Sequence, residues 1–399
     1  MNLFRPQVPY RFRPPQYSPW FKPVASLISR YFLTRKFKVR NIKISGAERV
    51  ADLARKRQPV LVAPNHADHA DPSLMLTVAR RYGMTFHFMA AREGFERGEL
   101  QRFFLQKSGA FSINREGGDL GAIKTAIRIL QKGEFPLVIF PEGEIYHHHE
   151  MLDELNEGVA TILLRATAKL PENRTSYVVP TGIRIRNSPD IGKTFSDRLD
   201  CLEAYITWKP KSGLGPVDRI YRLGSALLSI KEEEFLGRTR PGNLVDRIRG
   251  LQTSLIESIE SIYKLSNSDL KMPMRIKALR ARIRKELTDR KSPLDSRKEA
   301  DLYDQLDRIF VAQQLYSYPG RYLQRNPTHD RIAETLFKLE EDVLNSEKYY
   351  GPRTAEIKFD TPIDVRQFLR ERSLGTKTGG PALTGKIRSR LQGILRRFE

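Results

Sequence analysis

Between residues 58 and 183, short apolar runs alternate with segments whose apolar residues recur at helical spacing. Four runs have the length and composition of buried strands: residues 60–63, 85–89, 137–140 and 177–179. Helical spacing of Leu, Ile, Val and Ala between them predicts helices, one of them ending just before Gly133. Strands that alternate with helices favour an α/β domain with a mostly parallel sheet, in which ligands bind where strands end.

Beyond residue 214 the strand-like runs give way to long helical patterns. Apolar residues step by three and four through residues 244–262 and 332–343. These repeats are too brief for a free coiled coil and predict a packed helical region. A strongly basic segment, 271–291, has an apolar stripe of its own. We interpret it as a helix that touches lipid headgroups or an acidic carrier protein, or as an ordinary solvated helix.

The C-terminal part resembles neither pattern. Residues 356–363 predict a returning strand, and the Gly/Thr-rich residues 375–385 predict a flexible tail. We therefore expect four regions: a basic segment (1–47), an α/β domain (48–213), a helical accessory region (214–350), and a returning strand or helix with a basic tail (351–399).

The N-terminal segment contains ten basic residues and no acidic residue before Glu48. Four apolar residues share one face of a predicted helix in it: Val24, Leu27, Ile28 and Tyr31. A basic helix with such a face suits the interface of an anionic membrane. The alternatives are a tail packed on its own domain and, without any recognition motif, a nucleic-acid contact.

Composition narrows the class of protein. The formal net charge of +22 favours a polyanionic partner, which is nucleic acid, an anionic bilayer or a phosphorylated substrate. No apolar run approaches the ~18 residues of a transmembrane helix, and no secretory signal pattern is found. The single cysteine, Cys201, excludes an internal disulfide framework and fits a reducing compartment. We expect a peripheral or monotopic protein on the cytoplasmic face of a membrane.

The first cluster with chemical potential is PNHADHADP, which follows the first predicted strand. His66 and Asp71 would stand ~140° apart on an ideal helix, so they meet only where the chain bends, as at a strand-to-helix turn. A carboxylate on one imidazole nitrogen fixes the tautomer and supports the imidazolium formed when the other nitrogen takes a proton. The alternative is an Asn/Asp-rich turn that caps a helix.

The same cluster partly matches a metal motif. Dinuclear hydrolases of the metallo-β-lactamase type present His-x-His-x-Asp-His, and Asp68 and His69 fit its end. Its first histidine position is Pro64, which cannot ligate, whereas zinc normally needs at least three protein ligands. The histidines at 147–149 are expected in a solvated loop. We therefore expect no metal.

Three further clusters also follow predicted strands. Gly109 opens a short segment that ends at Arg115, whose planar fork of donors suits phosphate. The segment FPEGE holds Glu142, which can hold a hydroxyl or orient the arginine, and Gly143, which lets backbone approach a ligand. The fourth, VPTGI, includes Pro180. Alone, each has an ordinary explanation: a solvated arginine, a plain turn and a strand end.

Together, the order and spacing of these clusters resemble the glycerophosphate acyltransferase superfamily, which includes the 1-acylglycerol-3-phosphate (lysophosphatidic acid) acyltransferases. The resemblance covers about residues 45–212. The matching blocks are Asn65-His66 with Asp71, Gly109 to Arg115, Phe140-Pro141-Glu142-Gly143, and Val179-Pro180 to Ile183. It implies an α/β glycerolipid acyltransferase-like core with a mostly parallel sheet flanked by helices, followed here by a C-terminal helical region.

The resemblance also implies residue roles. His66 would deprotonate the acceptor hydroxyl, which attacks the thioester of acyl-CoA or an acyl-carrier protein, and Asp71 would orient His66. The residues implied in substrate binding are Asn65, Gly109, Arg115, Glu142, Gly143 and Pro180. No acyl-enzyme, cofactor or catalytic metal is implied.

We therefore hypothesise an acyltransferase of phospholipid synthesis that acts on a lysophosphatidic acid-like acceptor. Glycerol-3-phosphate or another lysophospholipid is the alternative acceptor. The expected partners are the acyl donor, a glycerophospholipid acceptor and an anionic membrane surface, with no nucleic acid. A non-catalytic lipid- or nucleic-acid-binding protein is the alternative of another class, and the intact His66 and Asp71 speak against it.

Overall fold

The computed structural model describes residues 10–115, 118–189, 192–265, 269–288 and 295–398. The described residues form two compact units. An α/β unit contains residues 10–188 together with the C-terminal segment from Tyr349, and a helical unit contains residues 189–348.

The α/β unit is built from two separated stretches of chain. Its elements are a 3₁₀ turn (Pro19–Phe21), α1 (Lys22–Tyr31), a π-helical turn (Phe32–Lys36), β1 (Val39–Ser45), α2 (Ala47–Arg55), β2 (Val60–Pro64), α3 (Asp71–Arg81), β3 (His87–Ala91), α4 (Arg92–Glu96), α5 (Glu99–Lys107), β4 (Ala110–Ile113), α6 (Leu120–Lys132), β5 (Leu137–Val138), α7 (Gly158–Ala168) and β6 (Tyr177–Asn187). After the helical unit, the chain adds β7 (Arg353–Phe359), β8 (Ile363–Asp364), α15 (Val365–Glu371) and α16 (Gly380–Arg396).

The strands form one sheet in the order β1-β7-β6-β2-β5-β3-β4, with β8 also paired to β6. The pairs β1–β7, β6–β2, β2–β5, β5–β3 and β3–β4 are parallel, whereas β6 runs antiparallel to β7 and β8. The mostly parallel sheet flanked by helices is thus confirmed. Every residue of the central strand β2 is buried, as expected where helices cover both faces of a sheet.

β2, β3, β5 and β6 overlap the four predicted runs, but their limits differ; β2 and β6 extend further, to Pro64 and Asn187. β3 begins at His87, where the His87 N–H donates to the Pro136 carbonyl at 2.9 Å and starts the ladder. β5 ends at Val138, although the Ile139 N–H still donates to the Val62 carbonyl at 3.1 Å; the chain then enters the loop that contains Pro141, which has no N–H to donate.

The C-terminal segment is part of the sheet. β7 alternates buried and half-buried residues and lies between β1 and β6. The observed α/β unit therefore ends at Ser188 and resumes at Tyr349, and it already includes residues from Tyr10. These limits differ from the expected division at 213 and 351, because the chain after Ser188 belongs to the helical unit and β7 pairs with both β1 and β6.

The predicted flexible tail at 375–385 is wrong from Gly380 onward. α16 begins there, and its buried stripe is Leu383, Ile387, Leu391 and Ile394. The helix packs on β6 so closely that a Cβ at Gly182 would collide with Ile394. The Gly/Thr-rich composition hid the start of this helical repeat.

The helical unit contains α8 (Gly192–Thr207), α9 (Pro216–Leu236), α10 (Leu244–Ile262), α11 (Met272–Thr288), α12 (Ser296–Tyr316), α13 (Tyr322–Arg325) and α14 (His329–Leu344). The helical C-terminal region is therefore confirmed. The apolar stripe of the basic segment 271–291 is buried among α9, α10 and α12 as Ile276, Leu279, Ile283 and Leu287. Residues 289–291 lie outside the described part.

Among the described residues, no helix has both the length and the apolar composition needed to cross a membrane.

Candidate active site

The loop between β2 and α3 carries the first polar cluster. β2 ends at Pro64 and α3 begins at Asp71, so the loop lies at the C-terminal end of the central strand. Asp71 is fully buried in the first turn of α3, where the helix dipole favours a negative charge. One oxygen, Oδ2, accepts from His66 Nδ1 at 2.9 Å and from the N–H groups of Ala67 and Asp68, both at 3.0 Å. The carboxylate therefore orients the imidazole and fixes the loop that carries it.

The His66 ring is held on both its edge and its face. It stacks on Phe140, with ring centroids 4.0 Å apart and an interplanar angle of 23°. Its side chain is 14% exposed. With Nδ1 donating to Asp71, the lone pair is on Nε2. No described residue hydrogen-bonds Nε2, so this nitrogen is available to take a proton.

Glu142 accepts backbone hydrogen bonds that fix the His66 loop. It is buried, and its two oxygens accept from the His66 N–H at 2.8 Å and the Asp153 N–H at 3.1 Å. Burial raises the pKa of Glu142 to about 8, assisted by the charges of Asp153 and Asp71 and opposed by the two N–H groups. Both oxygens thus bind backbone, which ties the His66 loop to the segment after β5.

The raised pKa of Glu142 gives a testable pH dependence of stability. Between about 4.5 and about 8 the folded protein binds a proton at Glu142 that the unfolded chain has lost. The stabilisation is therefore complete below about 4.5 and is lost as the pH rises through about 8. Urea unfolding between pH 5 and 9 should show a steeper fall of unfolding free energy in wild type than in Glu142→Gln. Parallel curves would contradict a buried, titrating Glu142.

Arg115 lies at the same edge, directly after β4. Its Nη1 donates to the Gly143 carbonyl at 2.5 Å and pairs with Glu144 at 2.8 Å, and its Nη2 lies 3.5 Å from Glu93. Gly143 has a φ of +78°, and a Cβ there would lie 2.7 Å from Asn156 Nδ2, so only glycine fits without strain. The guanidinium remains about one-third exposed, between two carboxylates that orient it.

The other predicted binding residues are Asn65, Pro180 and Gly109. Asn65 is buried, and its amide donates to the Ile183 carbonyl at 3.0 Å and accepts from the Ile183 N–H at 2.6 Å. Pro180 is buried within β6 opposite Ala63. Gly109 stands before β4, at the end of that strand opposite to Arg115. The structure thus gathers His66, Asp71, Glu142, Gly143 and Arg115, and uses Asn65 to tie the loop to β6.

A buried ion pair next to the loop was not predicted from the sequence. Arg353, the first residue of β7, pairs through Nη2 with Asp68 Oδ2 and donates from Nη1 to the Phe37 carbonyl at 3.2 Å. Asp68 also accepts from the Ala70 N–H at 2.8 Å. Burial opposes the ionisation of Asp68, but Arg353 and His149 outweigh it and hold its pKa below the usual value. In the sequence, the only local sign of this ion pair was Asp68, a second carboxylate in the loop beside Asp71.

The histidines after β5 also differ from expectation. His147, His148 and His149 are buried, not in a solvated loop. Their segment is held in place at both ends: the Asn156 N–H donates to the Pro141 carbonyl at 2.8 Å, and Glu150 pairs with Arg184 at 2.5 Å.

These features define the class: an α/β protein with a histidine–aspartate pair where its central strand ends. Comparison with known proteins is consistent with that geometry. Residues 38–184 match the family model described as Acyltransferase. A 1-acyl-sn-glycerol-3-phosphate acyltransferase of Streptococcus pneumoniae (strain ATCC BAA-255 / R6) is 29% identical over 142 residues, which are 35% of this chain and 50% of the relative. The chain thus spans about half the length of this curated relative. Both matches support the resemblance of this region to the glycerophosphate acyltransferase superfamily.

Proposed function

We propose that the protein transfers a fatty acyl group from acyl-CoA or an acyl-carrier protein to the free hydroxyl of a lysophosphatidic acid-like acceptor. One observation carries the proposal. His66 is held by the buried carboxylate of Asp71 through Nδ1 at 2.9 Å, with Nε2 left available, inside an acyltransferase domain.

His66 acts as the general base in this reaction. Its Nε2 takes the proton of the acceptor hydroxyl while the hydroxyl oxygen attacks the thioester carbonyl carbon. Asp71 stabilises the imidazolium that results. The tetrahedral adduct then collapses, the carbon–sulfur bond breaks, and the proton on Nε2 passes to the leaving sulfur. The products are the ester and the free thiol, without an acyl-enzyme.

Arg115 binds the acceptor phosphate. Its position at the C-terminal end of β4 places it at the same edge of the sheet as the His66 loop. Glu93 and Glu144 hold the guanidinium from two sides, so its orientation is set before the acceptor arrives. We assign Glu142 and Asn65 to positioning the His66 loop rather than to substrate, because the polar atoms of both side chains are engaged by backbone. Arg115→Gln would then weaken phosphate binding more than it lowers the rate at saturation.

The acceptor is a lipid, and one surface of the α/β unit suits an anionic membrane. α1 packs inward through Ala25 and Ser29, between the buried Phe21 and Leu33 of the flanking turns, and its other face is exposed. Edge-to-face ring contacts from Trp20 to Phe21 and from Phe21 to Phe103 join the 3₁₀ turn before α1 to α5. We call the exposed apolar residues of the two helices and of the turn before α1 the α1–α5 surface: Trp20, Val24, Leu27, Tyr31, Leu100 and Phe103. Basic residues interleave with it, among them Lys22, Arg30, Arg35 and Lys107.

The apolar and the electrostatic contributions to membrane binding can be separated by experiment. Apolar burial in the headgroup region is not screened by salt, whereas attraction of the basic residues is. The double variant Leu27→Ser, Leu100→Ser should bind vesicles of phosphatidylcholine and phosphatidylglycerol at least about tenfold more weakly. Both leucines are exposed in the protein, and the variant loses the free energy of burying them in the bilayer. Vesicle sedimentation at low and high salt measures this. Activity on a soluble short-chain acceptor should survive.

A control is Leu120→Ser, because Leu120 is another exposed leucine, on α6 of the same unit. It should leave vesicle binding unchanged. If the double variant binds vesicles like wild type, the α1–α5 surface is not the membrane face.

The proposed reaction is tested by offering the purified protein labelled acyl-CoA and acyl-carrier protein with a panel of acceptors. Lysophosphatidic acid should give phosphatidic acid, glycerol-3-phosphate and other lysophospholipids should be poorer, and monoacylglycerol, which lacks phosphate, poorer still. Acceptor binding without ester formation from either donor would instead support the non-catalytic lipid-binding protein.

A further inference from the structure

The helical unit projects an aromatic loop into solvent where α8 ends. Trp208 is 91% exposed, Tyr205 one turn earlier is 69% exposed, and Leu214 is 46% exposed. Two exposed lysines, Lys209 and Lys211, lie between the tryptophan and the leucine. We call these five residues the Trp208 tip. Three large apolar side chains exposed within ten residues are unfavourable in water unless something covers them.

Hydrogen bonds and ion pairs fix the backbone of the Trp208 tip, so the exposure of its side chains is not due to a flexible loop. Glu203 is fully buried, and its Oε2 accepts from the Lys211 N–H at 2.7 Å and from Arg219 Nη2 at 2.9 Å. Asp200 accepts from Ser212 at 3.0 Å and from the same guanidinium at 2.5 Å. Arg219 itself is 2% exposed. A buried ion pair beneath the loop thus fixes its conformation.

The backbone at Trp208 supports a role for its side chain. Its φ is +61°, in the left-handed region where a bulky residue costs roughly 1–2 kcal/mol. Glycine or asparagine would relieve that strain. A tryptophan that is both strained in its backbone and exposed to solvent is the combination expected of a contact residue.

We propose that the Trp208 tip inserts into the headgroup region of an anionic bilayer, as a contact additional to the α1–α5 surface. Tryptophan and tyrosine prefer the membrane interface, where their rings lie among the lipid carbonyls. Residues 204–217 contain no Asp or Glu, so Lys209 and Lys211 add ~1 kcal/mol each toward anionic lipid. In a protein–protein interface, the residues that dominate binding lie at the centre of a packed apolar patch. In the Trp208 tip, lysines separate the apolar side chains, which favours a bilayer over a protein partner. The proposal rests on the proposed function, since a lipid acceptor is what brings the protein to a bilayer.

Intrinsic fluorescence tests the proposal on the full chain, because Trp20 and Trp208 are its only tryptophans. Trp20→Phe leaves Trp208 as the sole reporter, and Trp208→Phe leaves Trp20. Each variant is mixed with vesicles of phosphatidylcholine and phosphatidylglycerol in which the phosphatidylcholine is brominated on the acyl chain. We expect the emission of Trp208 to shift to the blue and to be quenched by the bromolipid, and both effects to weaken on neutral vesicles.

The outcomes separate this proposal from the proposed function. If the bromolipid quenches Trp20 while the emission of Trp208 stays solvent-like and unquenched, insertion of the Trp208 tip is wrong. The proposals of acyl transfer and of membrane binding by the α1–α5 surface would then still stand. Protection of Trp208 only when a second protein is added, and not by vesicles, shows a protein partner and also overturns it. The readout needs no turnover, so it does not depend on acyl transfer being observed.

A binding variant completes the test. Trp208→Ser should lower the fraction of protein bound to anionic vesicles by about fivefold or more, because burial of a large aromatic is lost. Ile230→Ser is the matched control, since Ile230 is an exposed apolar residue on α9 of the same unit. Equal binding of both variants overturns the proposal.

Discussion

Replacing His66 by alanine should lower the rate of acyl transfer by ~10²–10⁴-fold, because the change removes the base that takes the acceptor proton. The loop should keep its course. The Asp71 carboxylate still accepts from the Ala67 and Asp68 N–H groups, and the backbone N–H of residue 66 still donates to Glu142. Circular dichroism should therefore be unchanged, and acceptor binding should be close to that of wild type. Initial rates at saturating donor and acceptor give the comparison.

His69→Ala is the control in the same loop. His69 is half-buried like His66, but its ring is not bonded to Asp71. This variant should keep most of the rate. Asp71→Asn should lose much of it through the wrong tautomer and a less stable imidazolium. A His66→Ala protein that turns over within about tenfold of wild type would show that another group is the base.

The His66–Asp71 pair could be predicted because its signal is local. A five-residue spacing cannot bring the two side chains together on a straight helix, but it can across a strand-to-helix turn. The apolar run at 60–63 and the helical spacing after Asp71 place that turn. The Arg115 and Glu142 clusters were located for the same reason: each follows a short apolar run, and parallel strands end at one edge of the sheet.

What a polar side chain bonds to could not be predicted in the same way. Glu142 and Asn65 are residue types that bind ligands, yet both have their polar atoms bonded to backbone N–H or C=O groups of other segments. Sequence patterns indicate residue type and element, whereas such bonds depend on which loops lie together in the fold. The buried His147 is a similar case, since nothing local distinguishes it from a solvated histidine.

The contribution of the C-terminal segment could be predicted only in part. Residues 356–363 predicted a returning strand, and β7 spans Arg353–Phe359; its place between β1 and β6, however, depends on pairing across more than 150 residues. The Asp68–Arg353 pair joins residues 285 positions apart. The family match ends at residue 184, so the segment that supplies Arg353 lies outside it.

The Asp68–Arg353 pair bears directly on the geometry of the catalytic loop. The Asp68 N–H donates to Asp71 Oδ2 at 3.0 Å, and the Asp71 N–H donates to the Asp68 carbonyl at 3.1 Å. A shift of Asp68 therefore moves the carboxylate that orients His66. Arg353 is 1% exposed, and it also stacks on Tyr349, 4.6 Å from the ring centroid. We infer that Arg353 is a positioning residue.

Arg353→Gln should destabilise the protein by about 3–5 kcal/mol, because it leaves the buried carboxylate of Asp68 without a cation. It should also lower kcat more than it raises KM, since the loop that holds His66 is displaced while Arg115 is untouched.

The double variant Asp68→Asn with Arg353→Gln removes both charges and should recover most of the lost stability, which urea unfolding would show as a non-additive cycle. Arg372→Gln is the control for loss of a surface arginine: it is exposed, lies 4.0 Å from Glu371, and should cost no more than about 1 kcal/mol. Additive effects of the two single changes, or a kcat for Arg353→Gln equal to that of wild type at a temperature where it is fully folded, would show that β7 supports the sheet without positioning the catalytic histidine.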